Sequence, residues 1–210
     1  MKNKTTMLAA AGVAALLVLV GCATAPSGTD VAARARDVMR ASFKESGQAK
    51  LDRLDQDDLQ RLCSIYSGDK TLPSDVAARI EKEQLATIKF PADGKLLGDW
   101  KSGERIAQSG RGGQYNDDPK DPSGANCYAC HQLSPKQEAY GTIGPSLYQF
   151  AKKRGFGDKT TAYAWAKVYD AEAFSACTNM PRFGQHHILT EQQIRDVVAL
   201  LVDPASPVNQ

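Results

Sequence analysis

The sequence predicts an all-α fold. Apolar residues recur at three- to four-residue spacing in successive stretches. These stretches open on capping residues or stop short of prolines, and neither a strand-rich region nor an internal repeat is evident.

The elements follow in order. Val31 to Lys44 carries apolar residues at 31, 35, 38, 39 and 43, a helical period. Leu51, Leu54, Leu59 and Leu62 mark a second stretch, and Asp55, Asp57 and Asp58 read as its solvated face. Pro73-Ser74 starts a third, with Ser74 as the expected N-cap, Val76, Ile80 and Leu85 inward, and an end before Pro91. Asp99 precedes a helix over 100–108 in which Gly103 permits close helix contact. Residues 109–126, rich in Gly, Asp and Pro, read as loop. Thr161 to Ala176 reads as helix, with Trp165, Val168, Tyr169 and Phe174 as core candidates. Thr190 to Gln193 matches a capping box, opening a last helix with Ile194, Val197, Val198 and Leu201, stopped before Pro204. The organisation expected is a signal segment at 1–21, a tether and helical extension at 22–95, and a second domain at 96–210.

The chemistry sits in Cys127-Tyr-Ala-Cys-His131. CxxCH is the pattern by which haem c is attached. Two thiols two residues apart add across the two vinyl groups of one haem, and the next imidazole reaches the iron from the same side. A zinc site needs about four N/S ligands, commonly from two separated pairs. A thioredoxin-like CxxC expects a βαβ context. The sequence offers neither, so one covalent haem c held by Cys127 and Cys130, with His131 as axial ligand, is expected.

The N-terminus reads as an export signal. Lys2 and Lys4 form a charged start, and Met7 to Val20 is an apolar run short of the about 20 residues a membrane-spanning helix needs. It ends in Leu19-Val20-Gly21-Cys22, which resembles the bacterial lipobox, in which the cysteine is acylated and becomes the first mature residue. An ordinary signal peptide cut near Ala25 is the alternative. Both place the protein on the periplasmic side, the first as a membrane-anchored lipoprotein, and haem c is attached outside the cytoplasmic membrane.

Charge and cysteine usage narrow the class. The chain has 26 basic and 24 acidic residues; without Lys2 and Lys4 the balance is 24 to 24. No basic stripe argues for nucleic acid, and Lys152-Lys153-Arg154 is the one dense basic cluster. Of five cysteines, Cys22 is assigned to lipid and Cys127 and Cys130 to haem. Cys63 and Cys177 remain, either as a disulfide favoured by an oxidising compartment or as two separately buried thiols.

The sixth iron ligand decides the chemistry. Beyond the signal only Met39 and Met180 are available. Met180 lies in Thr178-Asn-Met-Pro-Arg-Phe-Gly184, where Pro181 stiffens the loop. His186 and His187 are rivals, as is a Cys177 thiolate if it is not oxidised. A His131/Met180 haem has no open position and favours one-electron transfer. No catalytic set is present.

The stretches Asn126–Leu133, Tyr140-Gly-Thr-Ile-Gly-Pro-Ser-Leu147, Met180-Pro-Arg-Phe-Gly184 and Leu189 through Pro207 closely resemble SoxX, the monohaem cytochrome subunit of the sulfur-oxidising SoxAX complex. The resemblance covers about 98–207. It implies a class I cytochrome c-like haem domain behind the helical extension, with first and last helices packed together and Met180 as distal ligand. It also implies that the Pro145 carbonyl bonds the proximal imidazole. The partner would be a SoxA-type cytochrome, whose haem does the chemistry of an L-cysteine S-thiosulfotransferase by joining thiosulfate to a cysteine of the SoxYZ carrier. This subunit would accept the electrons and pass them to a small cytochrome c. The lipobox departs from a freely soluble SoxX. Two other readings stay open: a stand-alone lipoprotein cytochrome in a respiratory chain, and a haem peroxidase with a displaceable Met180.

Overall fold

Helix-forming stretches of this sequence do form helices, and no strand occurs among the residues described, 28–68 and 70–210 of a computed structural model. The expected signal segment and Cys22 lie outside them. No helix among the described residues is long and apolar enough to cross a membrane. The chain forms two compact units, 1–43 and 44–210. The described part of the first is a single helix, α1 (Gly28–Ser42), with Val31, Val38 and Met39 exposed.

The second unit is built on α2 (Asp58–Ile65), α3 (Ser74–Leu85), α4 (Trp100–Gln108), α5 (Phe150–Arg154), α6 (Asp158–Tyr169) and α7 (Glu191–Val202). Its centre is the packing of α4 on α7, with α6 and α5 also against α7. Gly103 makes the α4–α7 approach possible: a Cβ there would sit 2.0 Å from the Asp196 carbonyl oxygen. Asp99 caps α4 by accepting the Lys101 and Ser102 N–H groups. Thr190 and Gln193 form a reciprocal capping box on α7. The core contains Trp165, Val168, Leu133, Ile194, Val198 and Leu200.

The structure departs from sequence expectation in several places, and Leu85, expected inward, is exposed. Leu51–Leu54 is a separate 3-10 turn, so the expected second stretch is split before α2. Ser74 is the first residue of α3, not its cap; Pro73 holds the cap position with extended backbone and no side-chain bond. The expected helix 161–176 begins at Asp158 and stops at Tyr169, because buried Asp170 turns extended and caps a new 3-10 turn, Ala171–Ala173. Helix α5 was not foreseen. Its start is satisfied by Asn209, whose Oδ1 accepts the Ala151 N–H at 3.0 Å while its amide donates to the Leu201 carbonyl at 3.0 Å near the end of α7.

Much of the extension is packed into this unit. The Gln48 amide donates to the Asp118 and Asp121 carbonyls at 2.6 and 2.9 Å, and its oxygen accepts the Gly113 N–H at 2.8 Å. These bonds fix the glycine-rich loop ahead of Cys127. Helix α3 packs on the 171–173 turn, and the Trp165 indole donates to the Lys89 carbonyl at 2.9 Å.

Candidate functional site

Cys127 to Ala129 forms one 3-10 turn, capped by the Asn126 side chain, which accepts the Ala129 N–H at 3.2 Å. The His131 N–H closes back on the Cys127 carbonyl at 2.9 Å. Both thiols and the imidazole are thus carried by one short, internally bonded segment. Cys127 and Cys130 are not joined to each other.

A second strip of chain is stitched along it. Gly141 N–H donates to Tyr128 O at 2.9 Å, Gly144 N–H to Cys130 O at 2.9 Å, and Leu147 N–H to Gln132 O at 2.8 Å. The strip lies so close that only glycine fits twice. A Cβ on Gly141 would sit 1.7 Å from the Ala129 oxygen, and one on Gly144 would sit 2.2 to 2.7 Å from three atoms of the His131 ring.

This strip sets the chemistry of the imidazole. His131 Nδ1 lies 2.7 Å from the Pro145 carbonyl oxygen. A carbonyl can only accept, so Nδ1 carries the proton and Nε2 keeps its lone pair for a metal. The thiols suit a covalent haem better than zinc. Cys127 packs against the core, and burial pushes its thiol up to about 12. A thioether is neutral and fits that place. Among the described residues no three His, Cys, Asp or Glu side chains gather as a metal site. Two free thiols on one turn, followed by an imidazole whose Nδ1 is held by Pro145, fit a haem c.

Met180 lies on the loop between the 171–173 turn and α7, half-buried, its N–H bonded to the Thr178 hydroxyl at 3.3 Å. The loop is pinned from beneath: Gly184 and Gln185 N–H groups both donate to the Tyr169 carbonyl, at 3.0 and 3.1 Å, and a Cβ on Gly184 would meet the Tyr169 ring at 2.3 Å. Met180 lines a cavity of about 770 Å³ together with Leu59, Gln60, Cys63, Arg182 and Ile188. None of Cys127, Cys130 and His131 lines it.

Two of the three rival ligands are otherwise engaged. Cys177 is bonded to Cys63, with Cα atoms 5.3 Å apart, so it offers no thiolate. His186 Nε2 lies 3.3 Å from Asp57 Oδ2. His187 lines a separate cavity of about 260 Å³ with Tyr169 and Gln185.

Sequence reasoning missed a set of charged residues around this loop. Asp57 is not a solvated face. It is the N-cap of α2, accepting the Gln60 N–H at 2.7 Å, and it forms an ion pair with buried Arg182. Burial raises the Asp57 pKa, but the Gln60 and Arg182 bonds outweigh it and hold the carboxyl below its ordinary value. Asp170 and Glu172 are buried nearby, and burial pushes both carboxyls up against the lowering effect of backbone bonds and of Arg182. Glu172 accepts the Cys177 N–H, and Glu81 accepts that of Ala176 at 3.3 Å. The signal for these contacts is spread over more than a hundred residues of sequence, which is why local reading passes over it.

Comparison with known proteins points to the same segment. Residues 120–203 match the family model of cytochrome c. The chain is also similar to an uncharacterized lipoprotein of Aquifex aeolicus (strain VF5), 40% identical over 159 residues that cover 74% of this chain and 73% of that protein.

Proposed function

This chain belongs to one family with the Aquifex lipoprotein and carries a cytochrome c domain with covalently bound haem, and from that premise we propose that it is a membrane-anchored electron-transfer subunit of SoxX type. A bound haem c supplies a one-electron couple. Cys127 and Cys130 would hold it through thioethers, and His131 and Met180 would supply nitrogen and sulfur to its iron. The observation that carries this reading is the 2.7 Å bond between His131 Nδ1 and the Pro145 carbonyl. It fixes the tautomer, keeps Nε2 basic and holds the ring for a metal that must not shift as its charge changes. The 176–188 loop, bonded to Tyr169, Glu172 and Asp57, gives the sixth ligand a comparably fixed base.

On this reading the substrate chemistry lies on a SoxA-type partner and its SoxYZ carrier, and this chain only moves electrons to a small cytochrome c. Acylated Cys22 would hold the assembly at a membrane, in line with the name of the Aquifex relative. A stand-alone lipoprotein cytochrome shares every one of these residues and is the second reading. Purification from native membranes separates the two. A stoichiometric second c-type cytochrome, with thiosulfate-dependent haem reduction in the presence of the carrier, supports the complex. A lone chain that thiosulfate and carrier cannot reduce overturns it.

The peroxidase reading is tested by Met180→Ala. An electron carrier loses the methionine-to-ferric-iron absorption and drops in potential. An enzyme with a labile methionine keeps or gains turnover.

A further inference from the structure

We infer that the N-terminal extension is a clamp on the Met180 loop and that Asp57 is a positioning residue for Met180, acting through Arg182. The inference rests on the reading of Met180 as sixth ligand. Asp57 and Cys63 both lie outside the 120–203 cytochrome c match.

The stretch that carries Met180 is not helical. No helix spans 177–188, and Cys177 and His187 near its ends have left-handed backbone, with φ of 57° and 54°. On its cavity side lies open space of about 770 Å³, which Met180 lines. A methionine has three rotatable bonds, and here it has room to change rotamer. Something must bound the loop on that side.

Helix α2 and its cap do so at two points that bracket the ligand. Three residues before Met180, Cys177 is covalently tied to Cys63 of α2. Two residues after it, Arg182 is paired with Asp57. The carboxylate divides its work between its two oxygens. Oδ1 accepts the Gln60 N–H at 2.7 Å, and the Asp57 N–H donates to Gln60 Oε1 at 2.9 Å, so a capping box sets its orientation. Oδ2 faces the loop and takes both Arg182 and His186. Arg182 is 6% exposed. A guanidinium that is buried cannot leave its counter-charge cheaply, so the loop is held where Asp57 is. The Arg182 carbonyl in turn accepts the His186 N–H at 2.9 Å, which closes the loop on itself behind the ion pair.

Asp57→Asn is a clean perturbation. Asparagine caps a helix as well as aspartate does, so α2 is kept and only the charge facing Arg182 is lost. In the haem-loaded protein we expect the methionine-to-ferric-iron absorption to weaken. We also expect exogenous imidazole, which competes with Met180 for ferric iron, to bind at least about tenfold more tightly, the change that corresponds to about 1.4 kcal/mol. A merely structural role would lower the unfolding midpoint and leave both readouts unmoved. That result overturns the clamp.

Should the asparagine variant fail to accumulate as a haem protein, the Cys63→Ser/Cys177→Ser protein serves in its place. It is expected to gain imidazole affinity in the same direction, and an unchanged affinity overturns the clamp. Met180→Ala completes the series. If it keeps the absorption of the parent protein, the sixth-ligand reading itself fails. If it loses the absorption while the extension variants match the parent, only the clamp fails.

Discussion

Replacing Gly144 by alanine tests the proximal side of the site. The added Cβ would lie 2.2, 2.5 and 2.7 Å from Cε1, Nδ1 and Nε2 of His131, whereas ordinary contact begins at 3.4 Å. One side must therefore retreat by about 1.2 Å. The glycine strand cannot move freely, because its N–H is bonded to Cys130 O at 2.9 Å, and neighbouring Gly141 N–H is bonded to Tyr128 O. The ring, met face-on by the new methyl group, is the part that gives. A displacement of that size across the 2.7 Å bond to Pro145 O stretches it to roughly 3.0 Å and bends it well off line, weakening it without breaking it. Overpacking of this kind costs about 1–3 kcal/mol, and a ring tethered through Cys127 and Cys130 to a haem cannot relax by drifting. The expected result is a lower urea midpoint with an unchanged slope, together with a shifted haem potential. Gly157→Ser is the control, because nothing lies within 4 Å of that Cβ, the backbone is extended at φ 178°, and serine suits the N-cap of α6. If Gly144→Ala matches the control in both midpoint and potential, the tight proximal packing described above is wrong.

Two further outcomes are expected. Removing the Cys63–Cys177 bridge by paired serine substitution frees a closure of 114 residues, worth about 5 kcal/mol by chain entropy; a loss under about 1 kcal/mol in guanidinium unfolding would show that the rest of the fold already holds the two ends together. Asp170 has its carboxyl pKa raised by burial, so its contribution to stability is full below the unfolded value of about 4 and is lost as pH rises through the higher folded value. Asp170→Asn, with the Thr87 hydroxyl free to reverse its hydrogen-bonding role, should flatten the fall in stability from acid to neutral pH, and an unchanged slope in denaturation midpoints against pH would refute the assignment.

What could be read from the sequence was local. Thr190 and Gln193 announce their capping box because both bonds span three residues. Gly103 announces a close helix crossing because a glycine inside a helix lacks the Cβ that would hold a neighbour off. Cys127, Cys130 and His131 are contiguous, so their shared turn needs no tertiary information. The features that escaped depend on partners far along the chain. Helix α5 follows Gln149, which has left-handed backbone and makes no side-chain cap bond, and relies on Asn209. Asp170 breaks the expected 161–176 helix because its side chain is buried beside Thr87 from the extension. Asp57 sits in an acidic run that looks like any solvated helix start, and its partner Arg182 is 125 residues away. Pro145 came only through likeness to a family, since a Gly-Pro turn by itself does not say which imidazole its carbonyl will meet.

The bridge between Cys63 and Cys177 also bears on how such a chain is matured. The segment 127–131 lies inside the loop that the bridge closes. An exported chain therefore has to oxidise one pair of thiols while keeping another pair, within the same loop, reduced for haem. Four thiols allow three pairings, and two of them would join a haem cysteine to the wrong partner. Docking of α2 on the Met180 loop brings the right Cα atoms to 5.3 Å, and Cys127 and Cys130 stay free. Once bridged, Cys63 and Cys177 are no longer free to pair with either haem cysteine.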